Sequence, residues 1–404
     1  MVTALYLYID PGTGSLLAST LIGIAMTLVY TFKGWFYRLR YVLSGSGKAN
    51  PYDYSGKLVF FSEGRGYWRV YEPVISALIE RGTEAVYLTA GEDDPGLAVE
   101  SPLIESHYLG DIQQAIFTLN RLKASVCVMT TPQLDVVALR RSPHVGHYCH
   151  IIHSPTDVHA YKKFAFDFFD SVLCSSEAQI ENLRYLESER GTPAKELYRT
   201  GCTYYDVFAP AAEASGDHVL VAPTWGDRTF FKEAGREMLE RLLGAGYRVI
   251  FRPHPQSWIS DREVMQDVVD AVGDHPNLTI DRRTGGEEAI RESSILICDI
   301  TSGMVFDVAL AHEKPVVAVA FDWRDGGYEA SDLPRDTAAV AFLDEAGAII
   351  RAADVGQVAD AVEVASRKRV TPEVVDRHIF NFRRAGKPAA EQIVSIYEKT
   401  APCS

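Results

Sequence analysis

Short apolar runs alternate with amphipathic stretches along most of the chain after residue 56. In the first half, runs rich in β-branched and aromatic residues predict strands at residues 57–61, 85–88, 126–129, 147–152 and 171–174. Helical periodicity stands between most of them, at residues 70–81, 111–121 and 177–186. Strands that alternate with helices predict βαβ units and a parallel sheet.

The alternation of strands and helices is interrupted at residues 209–216, which are mostly small, and a second alternating series follows. Its predicted strands lie at residues 218–222, 247–251, 278–280, 295–297 and 315–321, and its predicted helices at 231–243, 262–272, 287–292 and 304–311. Two such series predict two Rossmann-like α/β domains that face each other across a cleft. We place these domains at residues 57–210 and 216–354, and a charged helical tail without strand pattern at residues 355–404.

The N-terminal residues predict a membrane anchor. Residues 13–32 carry no charge, and a helix of twenty residues matches the roughly 30 Å hydrocarbon core. Four basic residues follow within residues 33–48, whereas only Asp10 precedes the span, so the positive-inside rule places the rest of the chain in the cytoplasm. We therefore expect a single-pass protein of the inner (cytoplasmic) membrane, with its anchor in residues 1–44, its span at about 13–32 and a linker at 45–56. An apolar hairpin on the membrane or on a partner subunit is the alternative.

Composition narrows the class of protein. With 47% hydrophobic and 23% charged residues, the chain can bury a sizeable core. The net charge of −14 argues against a general nucleic-acid binder, although a local basic pocket is compatible with it. Six scattered cysteines show no metal-ligand spacing, and acidic residues 92–94 fit a solvated turn better than a metal site. We expect no metal and no disulfide framework, but buried free thiols in a reducing compartment.

A stiff polar loop follows the predicted strand at residues 247–251. It carries Arg252 and His254, and prolines at 253 and 255 restrict the backbone on both sides of the histidine. A guanidinium and an imidazole at the carboxyl end of a strand suit an anionic ligand. The alternative is an ordinary surface arginine and histidine at a helix junction.

Two further loops at strand ends of the second series are polar. Thr224 and Trp225 follow the strand at 218–222, and Thr301, Ser302 and Gly303 stand between the strand at 295–297 and a helix. Free N–H groups and the dipole at a helix N-terminus favour phosphate, although simple N-capping explains the same residues. Because ligands of open α/β sheets bind at the carboxyl ends of strands, we expect these loops and Arg252 to converge on one site.

The first half offers two candidates. His153 ends the strand at 147–152 and would face the cleft, where a neutral imidazole could take a proton from an attacking hydroxyl. A capping or core role for His153 is the alternative. The loop of Gly64, Arg65 and Gly66 could meet an acceptor, or could be a plain βα turn.

Four of these stretches in combination resemble the CDP-glycerol glycerophosphotransferase family, the polymerases and primases of teichoic-acid-type polymers. They are Thr200-Gly201-Cys202-Thr203-Tyr204-Tyr205-Asp206, Ala222-Pro223-Thr224-Trp225, Arg252-Pro253-His254-Pro255 and Asp299-Ile300-Thr301-Ser302. The resemblance covers roughly residues 145–325 and is weak before them. It implies the two-domain GT-B architecture, with an acceptor domain first and a nucleotide-donor domain second, and membrane association. This chain departs from the family pattern at His153-Ser154-Pro155-Thr156, where family members usually have His-Gly-Thr.

The resemblance implies a transferase that moves glycerol phosphate, or a related polyol phosphate, from a CDP-linked donor to a hydroxyl of a lipid-linked or polymeric cell-envelope glycan. No cofactor or metal is implied. His153 and His254 would correspond to the two key histidines of the family, with His153 as the general base. The donor and phosphate ligands would be Arg252, His254, Thr224, Trp225, Asp299, Thr301, Ser302 and Gly303.

Two other functions fit the sequence. The first is a GT-B glycosyltransferase or epimerase that uses a UDP- or CMP-sugar, since this architecture serves many donors. The second is a non-catalytic tether of an envelope polysaccharide assembly complex. The sequence leaves open the acceptor, the number of units added, the oligomeric state and the role of residues 8–15.

Overall fold

The computed structural model describes residues 52–208, 216–227, 229–283, 285–322, 326–334 and 337–400. The predicted membrane span at 13–32 lies outside these ranges, as does most of the predicted linker. Within the described ranges, no helix combines the length and the apolar character needed to cross a membrane.

Seven strands form the sheet of the N-terminal half, in the order β3-β2-β1-β4-β5-β6-β7. They are β1 (Asp53–Ser62), β2 (Ala85–Thr89), β3 (Ile104–Tyr108), β4 (Lys123–Met129), β5 (Val145–Ile151), β6 (Ser171–Cys174) and β7 (Glu196–Arg199). The pairs β1–β2, β2–β3, β4–β5, β5–β6 and β6–β7 are parallel, as predicted. The sequence did not predict β3 and β7, because these edge strands are half exposed and lack a continuous apolar run.

The main helices of this half are α1 (Trp68–Glu80), α2 (Ile112–Leu119) and α3 (Glu177–Arg190). Local signals explain where two of them begin and end. The Asp111 side chain accepts the backbone N–H groups of Gln113 and Gln114 at the start of α2. Helix α3 begins at an equivalent serine cap and ends at Gly191, whose φ of +61° favours glycine.

Six parallel strands form the second sheet, in the order β10-β9-β8-β11-β12-β13. They are β8 (His218–Val221), β9 (Val249–Phe251), β10 (Leu278–Ile280), β11 (Ser293–Asp299), β12 (Val316–Ala320) and β13 (Gly347–Arg351). The α/β class with two Rossmann-like parallel sheets is thereby confirmed. The strand order reverses between β8 and β11, and in open α/β sheets this position opens a crevice for ligands.

The remaining helices follow β8 along the chain. They are α4 (Phe231–Gly244), α5 (Ser257–Ser260), α6 (Arg262–Val272), α7 (Glu287–Glu292), α8 (Met304–Phe306), α9 (Ala338–Ala346), α10 (Val358–Arg367), α11 (Pro372–His378) and α12 (Gly386–Thr400). The helix predicted at 304–311 is a single α turn, α8, that continues as a π-helical turn, Asp307–Ala311. Strand β13 was not predicted, since five residues between two helices give little periodicity.

The C-terminal helices belong to both halves of the molecule. Helix α10 buries Val358 and Val362 in the core of the second sheet, whereas α12 buries Ala389 and Ile393 in the core of the first. A Cβ atom on Gly386 would lie 2.6 Å from Cβ of Pro73, so only glycine lets α12 begin this close to α1. The described part of the predicted tail, residues 355–400, is therefore mainly helical but supplies both cores, because an amphipathic stripe does not reveal which sheet it covers. The predicted domain limits at 210 and 216 adjoin residues outside the described ranges and stay predictions.

A segment that we call the interdomain strap, residues 326–334, follows β12 and reaches back to the first half. The Glu329 side chain is fully buried, and it accepts the backbone N–H of Ala165 at 2.7 Å. Arg190 on α3 forms an ion pair with the same carboxylate and another with Asp332 at 2.9 Å. Removing one partner from a buried ion pair typically costs about 3–5 kcal/mol, so the strap joins the two halves firmly.

We expect that Ile393→Ala lowers the free energy of unfolding by about 2–5 kcal/mol, because Ile393 on α12 is fully buried and its loss leaves a cavity. Urea unfolding of the full chain measures this change. Hydrogen exchange should increase first in β1, β4 and β5, which share that core. Glu398→Ala on the exposed side of the same helix is the control and should change stability by less than about 0.5 kcal/mol. An equal effect of both variants contradicts the packing of α12.

Candidate functional site

Asp299, the last residue of β11, holds the loop that follows β8. Its Oδ2 accepts the backbone N–H of Thr224 at 2.6 Å and its Oδ1 accepts that of Phe230 at 2.6 Å. The carboxylate is fully buried. Burial raises the pKa of Asp299, and the hydrogen bonds from Thr224 and Phe230 work in the opposite direction. Asp299 thus shapes the crevice between β8 and β11, and its predicted contact with a donor stays a prediction.

The exposed ring of His254 lies against Trp225, with ring centroids 5.8 Å apart and planes inclined at 27°. The backbone N–H of His254 donates to the carbonyl of Pro223 at 3.2 Å, which joins the loops after β8 and β9. Gln256 donates its N–H to Nδ1 of His254 at 3.1 Å, so the neutral ring carries its proton on Nε2. Burial lowers the pKa of His254, which favours this neutral form. The structure therefore brings Trp225 and His254 together, and their role in binding a donor stays a prediction.

Arg252 is engaged in an ion pair. Its Nη1 donates to Oδ2 of Asp281 at 2.7 Å and to the carbonyl of Arg283 at 3.0 Å. Burial alone would raise the pKa of Asp281, but hydrogen bonds from Arg283 and Arg252 hold it below its usual range. This ion pair ties the end of β9 to the end of β10. A phosphate contact of Arg252 stays a prediction and would use the nitrogens other than Nη1.

The Thr301-Ser302-Gly303 loop lies at the contact between the two halves. Oγ of Ser302 accepts the N–H of Met304 at 3.3 Å in a local turn, whereas the N-cap residue of α8 is Gly303 and no described side chain caps this helix. A Cβ atom on Gly303 would lie 3.6 Å from Cγ2 of Thr156, so this loop touches the loop that follows β5. The two halves therefore meet at this loop, and α8 offers only one α turn behind it.

A cavity of about 470 Å³ lies between the two halves at this contact. Residues on both sides line it, among them Thr156, Asp157 and His159 from the first half and Thr301, Ser302 and Phe321 from the second. Asp157 also joins the halves directly, because its carboxylate accepts the backbone N–H groups of Ala338 and Ala339 at the start of α9. A larger open depression of about 860 Å³ lies on the outer faces of α4 and α6, away from the strand ends.

His153 follows β5 in the loop that borders this cavity through Thr156 and Asp157. Its Nδ1 lies 3.3 Å from the hydroxyl of Tyr161, and its ring contacts that of Tyr67 edge-on at 5.5 Å. The side chain is half-buried, and burial lowers the pKa of His153. The imidazole thus lies three residues before Thr156, which borders the cavity, and the predicted role of His153 as general base stays a prediction.

The predicted acceptor loop, residues 64–66, is held by contacts with residues 91 and 93 of the same half. Nε of Arg65 pairs with the exposed Asp93 at 3.1 Å, and Gly64, with φ of +135°, leaves room for the close approach of Gly91. Glu92 and Asp93 are exposed, as expected of a solvated turn, but the expectation is wrong for Asp94, which is buried and whose carboxylate accepts hydroxyl groups of β1 and β2. The acceptor role of Gly64, Arg65 and Gly66 stays a prediction.

Three residues of the site escaped the sequence analysis. Tyr67 and Tyr161 flank His153, and Asp157 caps a helix of the other half. No local sequence signal marks Asp157 as a cap, because the helix that it caps begins 181 residues further along the chain. Within the described ranges, no group of three or more His, Cys, Asp or Glu side chains is placed to hold a metal ion. The five described cysteines are buried and free.

No protein-family model and no curated protein matches the chain. Solved structures do match it. UDP-GlcNAc 2-epimerase from Methanocaldococcus jannaschii, in complex with UDP-GlcNAc and UDP, is 15% identical over 85% of this chain and 99% of its own, with a TM-score of 0.53. The UDP-N-acetylglucosamine 2-epimerase from Rickettsia bellii is 12% identical over 85% and 96%, with a TM-score of 0.54. S. aureus MnaA with UDP is 14% identical over 84% and 95%, with a TM-score of 0.51.

Identities this low establish the fold and nothing more. The chain has a GT-B-type architecture, with two Rossmann-like domains whose strand ends meet at a common crevice.

We expect that Asp299→Asn lowers the free energy of unfolding by about 1–3 kcal/mol, because an amide cannot accept at both positions and leaves one buried N–H without a partner. Amide hydrogen exchange should accelerate in residues 222–230 in particular. Asp227→Asn in the same loop is the matched control, since the Asp227 side chain is 80% exposed. If both variants exchange like the wild type, Asp299 does not shape this loop.

His150, next to the site, makes stability depend on pH. Burial lowers the pKa of His150 from 6.5 to about 3, and its ring packs against Phe166 and Phe169. Between these pH values the unfolded chain binds a proton that the folded chain does not, so stability falls as pH falls, by about 1.4 kcal/mol per pH unit. We expect His150→Leu to reduce this slope between pH 6.5 and 5 in urea unfolding. An unchanged slope means that His150 does not contribute.

Proposed function

We propose that this chain is an enzyme that binds a nucleotide-activated donor at the carboxyl ends of β8, β9 and β11 and acts on it in the cleft between the two halves. One observation carries the proposal. Asp299, at the end of β11, fixes the loop after β8 at the position where the strand order reverses, and the loop of His153 meets the loop after β11 from the other half. This is the position at which open α/β sheets bind nucleotides.

The first candidate reaction is glycosyl transfer or epimerisation of a nucleotide sugar, with UDP- or CMP-sugars as donors. The GT-B architecture supports it, because the solved structures of similar fold include a UDP-GlcNAc 2-epimerase in complex with UDP-GlcNAc and UDP, and MnaA with UDP. The cavity of about 470 Å³ is within the range of small-ligand sites. It combines hydroxyl groups of Thr301 and Ser302 with apolar walls, a composition that suits a sugar or a similar polyol.

The second candidate is transfer of glycerol phosphate, or a related polyol phosphate, from a CDP-linked donor to a lipid-linked or polymeric acceptor. The loop sequences that resemble the CDP-glycerol glycerophosphotransferases support it, because Thr224, Trp225, His254 and Ser302 all lie at ends of strands β8, β9 and β11. The uncharged residues 13–32 would then keep the enzyme at the membrane that holds such acceptors.

In either reaction the leaving nucleotide carries negative charge that the protein must stabilise. The Nε2–H of His254 and the hydroxyls of Thr301 and Ser302 are the groups that we assign to this task. Hydrogen-bond donors aimed at a developing charge typically contribute about 10²–10³-fold to the rate each.

We expect one pyrimidine nucleotide to raise the melting temperature of the full chain. The panel is UDP, CDP, CMP, ADP, UDP-GlcNAc, CDP-glycerol and CDP-ribitol, measured by thermal unfolding. A ligand at one hundred times its Kd adds about 2.7 kcal/mol to stability. A preference for uridine nucleotides selects the first candidate, and a preference for CDP-polyols selects the second.

The variant His254→Ala should weaken this stabilisation. His275→Ala is the matched control, because Nδ1 of His275 accepts the backbone N–H of the residue two positions ahead, as Nδ1 of His254 does. His275 precedes β10, so it lies at the opposite edge of the sheet from the proposed site. If no nucleotide in the panel shifts the melting temperature, the enzyme proposal fails and the non-catalytic tether is the better explanation.

A further inference from the structure

Tyr161 is the hydrogen-bond partner of His153. Its hydroxyl lies 3.3 Å from Nδ1 of His153, and the two rings are 5.8 Å apart at 67°. Among the described residues this is the one hydrogen bond that the Tyr161 hydroxyl makes. The tyrosine is buried, so its ring has little freedom to turn toward another partner.

The backbone of Tyr161 is held by the second half of the molecule. Its carbonyl accepts the N–H of Glu329 at 2.9 Å, and the adjacent Lys162 forms an antiparallel bridge with Tyr328. Both Glu329 and Tyr328 belong to the interdomain strap. The position of the Tyr161 hydroxyl therefore depends on contacts from both halves.

The chemistry of the two groups sets the direction of this hydrogen bond. Burial raises the pKa of Tyr161 well above its usual value, so the phenol keeps its proton. A neutral imidazole offers one unprotonated nitrogen, which accepts a hydrogen bond better than a phenol oxygen does. Tyr161 therefore donates, Nδ1 of His153 accepts, and the ring proton resides on Nε2.

We propose that Tyr161 is a positioning residue that holds His153 in the Nε2–H tautomer, so that His153 offers a hydrogen-bond donor to a phosphate or carbonyl oxygen of the bound substrate. This role rests on the proposed function, since it requires a substrate in the cleft beside His153. It differs from the general-base role that the sequence predicts, because a base would need an unprotonated nitrogen facing the substrate.

The other groups described around His153 do not oppose its Nε2–H tautomer. Tyr67 packs edge-on against the ring, burial raises its pKa, and Glu63 acts on it electrostatically. The thiol of Cys202 donates to the backbone carbonyl of His153 at 3.7 Å, not to its ring. His150, the nearest other imidazole, is uncharged at neutral pH because its pKa is about 3.

The tautomer can be measured without any substrate. Long-range proton–nitrogen correlation spectra of the full chain, labelled with ¹⁵N-histidine, distinguish a protonated from an unprotonated ring nitrogen. A spectrum of His153→Gln identifies the signals of His153. We expect an unprotonated Nδ1 and a protonated Nε2 in the wild type at neutral pH.

The variant Tyr161→Phe should shift the tautomer ratio of His153 toward Nδ1–H by about five- to tenfold, the effect of one lost hydrogen bond. Tyr148→Phe is the control, since Tyr148 is also buried but its hydroxyl accepts the N–H of Ser142. It should leave the His153 signals unchanged. A wild-type spectrum with a protonated Nδ1 overturns the proposal even if the Tyr161 variant does not fold.

A kinetic measurement separates the same alternatives once a substrate is known. The Nε2 proton is present in both the neutral ring and the imidazolium, so a donor keeps kcat/KM as pH falls through the pKa of His153. A general base loses kcat/KM tenfold per pH unit below that pKa, and this outcome would contradict the donor role. The spectra do not depend on turnover. If they show the Nε2–H tautomer but no nucleotide binds, the proposed function is refuted and the effect of Tyr161 on the tautomer is not.

Discussion

A buried carboxylate that forms no ion pair with any described residue maintains the crevice of this protein. Asp299 accepts two backbone N–H groups at 2.6 Å, one from each end of the loop after β8. Bonds from N–H groups to a charged acceptor are stronger than neutral ones, and here they offset the cost of burial. Because β8 and β11 are neighbours in the sheet, this one side chain determines where Thr224, Trp225 and, through Pro223, His254 can lie.

The contact between the halves is built from a second set of buried polar groups. Asp157 caps α9, and Glu329 meets Arg190, so carboxylates of each half are satisfied by the other. An unpaired group of this kind is costly, and the halves therefore have a defined rather than a sliding contact. This defined contact is what allows a strap residue to influence the environment of His153.

The sequence predicts much of the fold because buried parallel strands are apolar runs that hardly depend on context. The strands at 171–174 and 278–280 have the predicted bounds, whereas the exposed edge strands β3 and β7 do not stand out. In the site, Trp225, His254 and Ser302 lie at strand ends as expected, since the carboxyl edge of a parallel sheet follows from topology. The hydrogen-bond and ion-pair partners of polar side chains could not be predicted from the sequence. Arg252 binds Asp281, 29 residues ahead, and Ala165 binds Glu329, 164 residues ahead, and no periodicity encodes such pairs.

The position of α12 late in the sequence affects how the first sheet folds during synthesis. The first sheet buries part of its surface under α12, which is the final described element to leave the ribosome. Domains generally fold during synthesis as soon as their sequence has emerged. Until Ala389 and Ile393 have emerged, the apolar face of β1, β4 and β5 that they cover stays exposed, so the first sheet cannot complete its core before α12 is synthesised.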